Sequence, residues 1–201
     1  MTRSIFFLRH ARTSWNVAKR IQGRTDIAVL PESLAALKRC SVPATLHGAN
    51  WFCSPLLRAR QTAAALGVSA FTIEVALVEM HWGDWEGRTL RELRELGGDA
   101  MRLNEARGLD MRPPNGESPR DVGARVADWM RQYAAGPRCN AVAVTHKGVI
   151  RATFARTWAW DMCTSPPHKL DWDCAHELVV DDDGAVRSGR LNIPLTQSQP
   201  T

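Results

Sequence analysis

Three short polar clusters stand at the ends of three apolar runs in this 201-residue chain. Arg9-His10 follows Ser4 to Leu8, Ser54 to Arg58 follows Ala49 to Cys53, and Thr145-His146 closes the run from Asn140. Apolar runs of that length, bounded by polar residues, read as buried strands. In an open α/β sheet, ligands bind outside the carboxyl ends of the strands. Parallel pairing therefore brings two histidines and two arginines to one edge. A single histidine after a strand is more often structural; three polar clusters at three strand ends point to a site.

Such a set suits phosphoryl chemistry. Guanidinium forks match phosphate oxygens, and helix N-termini add backbone donors. A neutral imidazole, with an ordinary pKa of about 6.5, is a competent nucleophile near neutral pH. One histidine attacks phosphorus in line while the arginines and the other histidine neutralise the equatorial oxygens. The departing alkoxide still needs a proton. Glu79 meets that need, because it follows the apolar Val75 to Val78 segment and precedes the glycine-rich turn Gly83 to Gly87. A carboxyl there, facing an anion and partly desolvated, has a raised pKa and holds a proton.

The elements that must position these groups are legible as alternating strands and helices. Leu56 to Leu66 is alanine-rich and helical, with Pro55 at its start and Gly67 beyond its end. Thr13 or Ser14 caps a short helix carrying Trp15 and Asn16. Phe71 to Val75 reads as a further strand. Thr89 to Leu96 is an amphipathic helix stopped by Gly97-Gly98, and Gly108 to Pro119 is a loop. Ser118 caps a helix to about Tyr133, with Pro119 in its first turn and Asp121 completing a capping box. Val149 to Trp158 is the last helix. Glu177 to Val180 and Ala185 to Arg187 flank Asp182-Asp183-Gly184, a hairpin signal. The pattern predicts a three-layer α/β/α fold with a mostly parallel central sheet, in one domain over residues 1–201.

Composition narrows the class. Hydrophobic residues make up 44% of the chain, an ordinary globular share. No apolar run approaches the roughly 20 residues of a membrane helix, so no membrane partner is expected. The apolar start, Met1 to Phe7, closes at Arg9-His10 and is too short for an export signal; the expectation is a cytoplasmic protein. Five scattered cysteines, Cys40, Cys53, Cys139, Cys163 and Cys174, read as free thiols in a reducing compartment. The group Cys163, His168, Cys174 and His176 lacks tight paired cysteines and contains Pro166-Pro167, so no metal is expected there. A net charge of +5 and a pI of about 9.3 favour an anionic partner. The arginines are interleaved with acids, as in Arg91 to Glu95, and no basic stripe with aromatics suggests nucleic acid.

Five blocks of this sequence resemble the histidine phosphatase superfamily, also called the phosphoglycerate mutase-like family. Leu8 to Asn16 (LRHARTSWN) is similar to its LRHGxTxxN signature, and Ser54 to Ala63 (SPLLRARQTA) to its SPLxRAxQTA block. Glu79 with Trp85-Glu86-Gly87, Asn115 to Ser118, and Val144 to Arg151 (VTHKGVIR) are similar to three more, in family order. The resemblance implies a phosphoglycerate mutase-like fold and gives each residue a role. His10 becomes the phosphohistidine nucleophile and Glu79 the proton donor, later the base that activates water. Arg9, Arg58 and His146 form the phosphate pocket, with Asn16 on the transferred group and Gln22 and Gly23 in a loop touching phosphate or substrate. No metal or cofactor is implied. Two positions depart from the pattern: Ala11 and Lys147 stand where the family has glycine. The first matters if positive φ is needed; the second, Lys147, keeps a backbone N–H for the phosphate and adds an ammonium suited to substrate charge.

Other readings stay beside this one. Arg12, Arg24, Arg88 and Arg151 lie near the motifs, where they suit the non-reacting part of a substrate, but read first as surface or ion-pair residues. Glu117 either braces a pocket arginine or serves a helix N-terminus. Trp82 and Trp85 suit an apolar substrate wall, and Trp51, Trp129, Trp158 and Trp160 suit the core. The Trp158 to Trp172 patch suits a homodimer face. The favoured function is metal-independent hydrolysis of a small phosphorylated metabolite, the Gly-x-Trp-Glu-Gly turn resembling the phosphatase branch. The rivals are a cofactor-dependent phosphoglycerate mutase and a non-catalytic phosphoester-binding module.

Overall fold

The computed structural model describes residues 2–136 and 139–197. Strand β1 spans Arg3–Arg9 and is followed by a one-turn helix α1 (Ser14–Val17), helix α2 (Pro31–Leu37) and the two-residue strand β2 (Cys40–Ser41). Then come β3 (Asn50–Cys53), α3 (Leu57–Ala65), β4 (Thr72–Ile73), α4 (Leu90–Glu105) and α5 (Pro119–Ala134). The chain ends with β5 (Ala141–Thr145), α6 (Lys147–Thr157), β6 (Cys174–Val180), β7 (Val186–Ser188), β8 (Ile193–Pro194) and β9 (Thr196–Gln197).

The main sheet has the order β4-β3-β5-β1-β6-β7, with β8 also on β6. Strands β4, β3, β5 and β1 pair in parallel, and β6 to β8 add antiparallel partners at the far side. The parallel half carries the three polar clusters on one edge, as the apolar runs predicted. Both faces of β1 are buried, which explains its unbroken apolar run. Ile5 and Phe7 face a core with Val126, Trp129, Ile150 and Phe154 of α5 and α6. Phe6 and Leu8 face the opposite core with Ala59, Ala63 and Leu66 of the α3 region. Phe7 meets the edges of Trp129 and Phe154 at 6.5 and 6.3 Å. Its burial contributes about 2–3 kcal/mol.

Local chemistry sets the ends. Thr13 is the cap of α1, and Asn16 returns the bond to close a capping box. Ser118 and Asp121 do the same for α5, with Pro119 in the first turn. Helix α3 differs from its expected start: it opens after Leu56, and its first amide donor, Leu57 N, is met by Asp26 Oδ1 at 2.8 Å. The strand expected from Phe71 to Val75 is only β4, because Glu74 caps a 3-10 turn, Val75–Leu77. Gly97-Gly98 does not end α4: Gly98 leaves helical geometry at φ 49° and ψ −129°, and the helix resumes to Glu105. Arg94 and Glu105 tie the halves by a two-pronged ion pair at 2.8 and 3.0 Å. The loop after α4 contains a further 3-10 turn, Gly108–Asp110. Helix α6 starts two residues earlier than its pattern indicated, because His146 is its N-terminal cap residue. Strand β6 extends back to Cys174, and the hairpin to β7 turns through Gly184 at φ 83°.

Candidate active site

The register of the parallel strands assembles the site. Arg9 lies opposite Thr145, so His10 and His146 are the next residues on adjacent strands. His10 N donates to Thr145 O at 2.9 Å, and the two imidazole centroids lie 5.1 Å apart, tilted by 54°. On the other side of β5, Ser54 N donates to Val144 O at 3.0 Å. A cavity of about 680 Å³ opens over this edge, with Arg9, His10, Asn16, Gln22, Glu79 and Lys147 in its wall.

Hydrogen-bond partners settle both histidine tautomers. His10 Nδ1 lies 2.7 Å from Ala11 O, which can only accept, so Nδ1 carries the proton and Nε2 keeps its lone pair. His146 is the reverse. Arg58 donates Nε–H into its Nδ1 at 3.2 Å, leaving Nε2–H to donate to Ser54 Oγ at 2.7 Å. Both imidazoles are held well below the ordinary pKa, by burial first and then by the Arg58 charge. They are therefore neutral at neutral pH.

The two arginines differ. Arg9 lines the cavity, and its buried Nε has no hydrogen-bond partner among the described residues. Arg58 is fully buried behind it, with Nη1 donating to Thr25 O at 2.9 Å and Nη2 to Gly23 O at 2.7 Å. Arg58 and His146 thus stand behind His10 rather than in the cavity wall. Arg58 is the fastening between His146 and the loop carrying Gln22 and Gly23.

That loop has a second fastening the sequence reading passed over. Glu86 accepts from Arg24 N and Thr25 N, both at 2.9 Å, and from Thr25 Oγ1 at 2.6 Å. Gly23 has φ +53°, and a Cβ there would lie 1.9 Å from Glu86 Oε1. The signal was present in the Trp85-Glu86-Gly87 turn, but nothing in one dimension connects it to residue 23. Gln22 Oε1 accepts from Thr13 Oγ1 at 3.0 Å, and Asn16 Oδ1 from Thr13 N at 2.9 Å. The side-chain Nδ2 donors of Asn16 have no protein partner among the described residues, whereas its backbone N donates to Thr13 Oγ1.

Glu79 faces the cavity with its carboxyl accepting from Met80 N at 2.8 Å and Gly148 N at 3.3 Å. Burial raises its pKa, outweighing the opposing pull of those bonds and of Arg58 and Arg9. A Cβ on residue 148 would lie 2.5 Å from Glu79 Oε1, so the glycine needed here is Gly148. Lys147 beside it is under no such limit. Ala11 is not among the residues with positive φ, so its methyl brings no backbone strain.

The remaining sequence readings sort as follows. Trp82 and Trp85 line the cavity, 6.1 Å apart. Trp129 and Trp160 are buried, whereas Trp51 and Trp158 are half-buried at core margins. Glu117 braces Arg24 at 3.0 Å and Arg125 at 3.4 Å, and accepts from His81 N. Arg12 approaches Asp173 at 4.0 Å. Arg151, expected among the paired arginines, instead lines the cavity. His168 packs on Trp158 and His176 lies buried in β6, and no group of three or more potential metal-binding side chains occurs among the described residues. No helix is long and apolar enough to cross a membrane, among the described residues.

With paired strand-end histidines, a cavity arginine and a buried carboxyl on one sheet edge, residues 5–193 match the model of the histidine phosphatase superfamily (branch 1), and the chain belongs to that family. A 2,3-bisphosphoglycerate-dependent phosphoglycerate mutase of Methylobacterium radiotolerans is 33% identical over 63% of this chain and 64% of its own length. The chain thus spans just under two thirds of that mutase. A glucosyl-3-phosphoglycerate phosphatase of Mycolicibacterium vanbaalenii is 32% identical over 76% of this chain and 73% of its own. Among solved structures, one described as mycobacterial hydrolase 1 superposes with a TM-score of 0.79 at 25% identity, covering 98% of this chain and 100% of the other.

Proposed function

We propose that the chain is a phosphatase that hydrolyses a small phosphorylated metabolite through a phosphohistidine on His10. The observation that carries this reading is the His10 Nδ1–H bond to Ala11 O, which leaves Nε2 unprotonated beside the unpartnered Arg9. Nε2 attacks phosphorus, the P–O ester bond breaks, and the leaving oxygen takes the proton held by Glu79. Glu79, now a carboxylate, accepts a proton from the water that attacks the phosphohistidine; inorganic phosphate and free His10 result. Arg9, Asn16, Gln22 and the backbone N–H groups at Gly23 and Lys147 hold the phosphoryl oxygens, while Arg58 and His146 fix and polarise the site from behind. These side chains supply every step, so the reading calls for no metal and no cofactor.

The test is a panel of phosphomonoesters assayed in EDTA with the wild type and His10→Ala. Full activity in chelator, abolished by the substitution, is the expected result; undiminished turnover in His10→Ala would falsify the reading. Similarity to the Methylobacterium enzyme favours a second reading, a 2,3-bisphosphoglycerate-dependent mutase. Incubation with 2,3-bisphosphoglycerate and 3-phosphoglycerate separates the two, because only a mutase forms 2-phosphoglycerate faster than phosphate. We take residues 1–201 as one domain working in the cytoplasm, where its five free cysteines are stable. The Trp158 to Trp172 segment is the face we assign to a homodimer.

A further inference from the structure

Three cations in the cavity wall have neither an ion pair nor a hydrogen-bonded acceptor among the described residues, whereas Arg20, also without an ion pair, donates to Gly87 O. Arg9, Lys147 and Arg151 all line it, and among the described residues none of them forms an ion pair. Arg9 and Arg151 each bury an Nε that has no acceptor. Aromatic faces take the place of acids. Lys147 Nζ lies 5.1 Å from the Trp172 ring centroid, and Arg151 Cζ lies 5.2 Å from that of Trp160. Such contacts hold a cation without neutralising it. Lys147 is exposed to the cavity, and its ammonium pKa is lowered by desolvation, then by repulsion from Arg151 and Arg9.

Position then separates the three. Arg9 adjoins His10 and serves the transferred phosphoryl group. Lys147 and Arg151 stand one turn apart on α6, the helix whose Gly148 N holds Glu79. The leaving oxygen must meet Glu79, so the rest of the alcohol lies beside this helix face. A negative group there would satisfy the vacant guanidinium donors and relieve the repulsion between the two cations.

We propose that Lys147 and Arg151 form a second anion subsite, which selects phosphomonoesters whose alcohol half carries its own carboxylate or phosphate. The proposal rests on the reading that His10 takes the phosphoryl group. Lys147 occupies a position where the family pattern has glycine, so the Lys147 half of the subsite belongs to this chain's own sequence, while Arg151 matches the family block.

Three esters of one carbon skeleton test it: glycerol 3-phosphate, 3-phosphoglycerate and glycerol 1,3-bisphosphate. Their kcat/KM values are measured with the wild type, Lys147→Met and Lys147→Arg. The wild type prefers at least one doubly anionic ester by about tenfold or more over glycerol 3-phosphate. Lys147→Met removes most of that preference through KM, and Lys147→Arg keeps it. Which doubly anionic ester is preferred tells carboxylate from phosphate. Equal rates for all three in the wild type, or a preference untouched by Lys147→Met, overturns the subsite while hydrolysis at His10 stands. If even p-nitrophenyl phosphate is not turned over, the phosphatase reading has failed instead. Calorimetric binding of the three esters to the wild type then decides the subsite, which falls if neither doubly anionic ester binds more tightly than glycerol 3-phosphate.

Discussion

Arg58 donates Nε–H to Nδ1 of His146 at 3.2 Å, and the same guanidinium reaches Gly23 O and Thr25 O. One planar fork therefore sets a tautomer and ties down a loop. Lysine has the charge but not three directed donors. In Arg58→Lys, buried acceptors lose partners at about 1–3 kcal/mol each. The expected result is a lower melting temperature by calorimetry, with kcat/KM down by about 100-fold or more. Near-native activity in this variant contradicts the fastening role.

The proposed nucleophile and acid titrate on opposite sides of the working range. His10 must be neutral, and burial, Arg58 and Arg9 hold its pKa well below the usual imidazole value. Glu79 must be protonated, and burial raises its pKa above the usual carboxyl value. kcat/KM therefore rises with pH as His10 loses its proton and falls as Glu79 loses its own, giving a bell-shaped profile. In Glu79→Gln the alkaline limb disappears, and alkyl esters slow by about 100- to 10,000-fold. p-Nitrophenyl phosphate, whose leaving group needs no proton, still gives a burst of one equivalent per site before a slow phase. A pH–rate profile with stopped-flow product release checks both points.

The loop at residues 22–25 hangs on Glu86 as well as on Arg58. Glu86→Gln turns one acceptor oxygen into a donor facing backbone N–H groups. We expect KM to rise about tenfold with a smaller change in kcat, because the role proposed for the loop is to hold substrate and not to react. Gly23→Ala adds both the strain of φ +53° and a clash with Glu86, so its KM rises further. Steady-state kinetics of the two variants and their combination check this, and the double variant falls short of additivity if the two act through one loop.

His176 makes acid stability measurable. It is fully buried, its Nδ1 accepts from Asn192 N at 3.2 Å, and burial pushes its pKa down to about 4. The folded state therefore binds this proton less well than the unfolded chain. Stability from this group is complete above about pH 6.5 and is lost toward pH 4, by about 3 kcal/mol. His10 and His146 act in the same sense, and Glu79 in the opposite one. Urea unfolding from pH 7 to 4 shows the decline, and His176→Phe makes it shallower; an unchanged slope counts against the assignment.

Much of this was legible in one dimension because the responsible interactions are local or periodic. The apolar runs ending at Arg9, Cys53 and Thr145 revealed the shared edge, since a strand buried on both faces must be apolar throughout. A cap at Thr13 or Ser14 and a capping box at Ser118 marked helix starts for the same local reason. What escaped depended on tertiary partners. Asp26 meets the first turn of α3 from across the fold, and Glu86 holds the backbone of Arg24 and Thr25. Gly98 breaks α4 without ending it, because the ion pair between Arg94 and Glu105 carries the second half onward. Arg151 read first as a surface cation, with contact to the substrate's non-reacting part as the alternative, and the fold places it in the cavity wall.

The break at Gly98 has an evolutionary consequence. His10 and His146 stand at strand ends whose spacing the backbone ladder fixes, but Leu90, Arg94, Arg102 and Glu105 bring both halves of α4 into the outer cavity wall. A lineage can lengthen, shorten or re-angle that hinged segment and admit a different molecule, leaving the chemical machinery beneath it untouched.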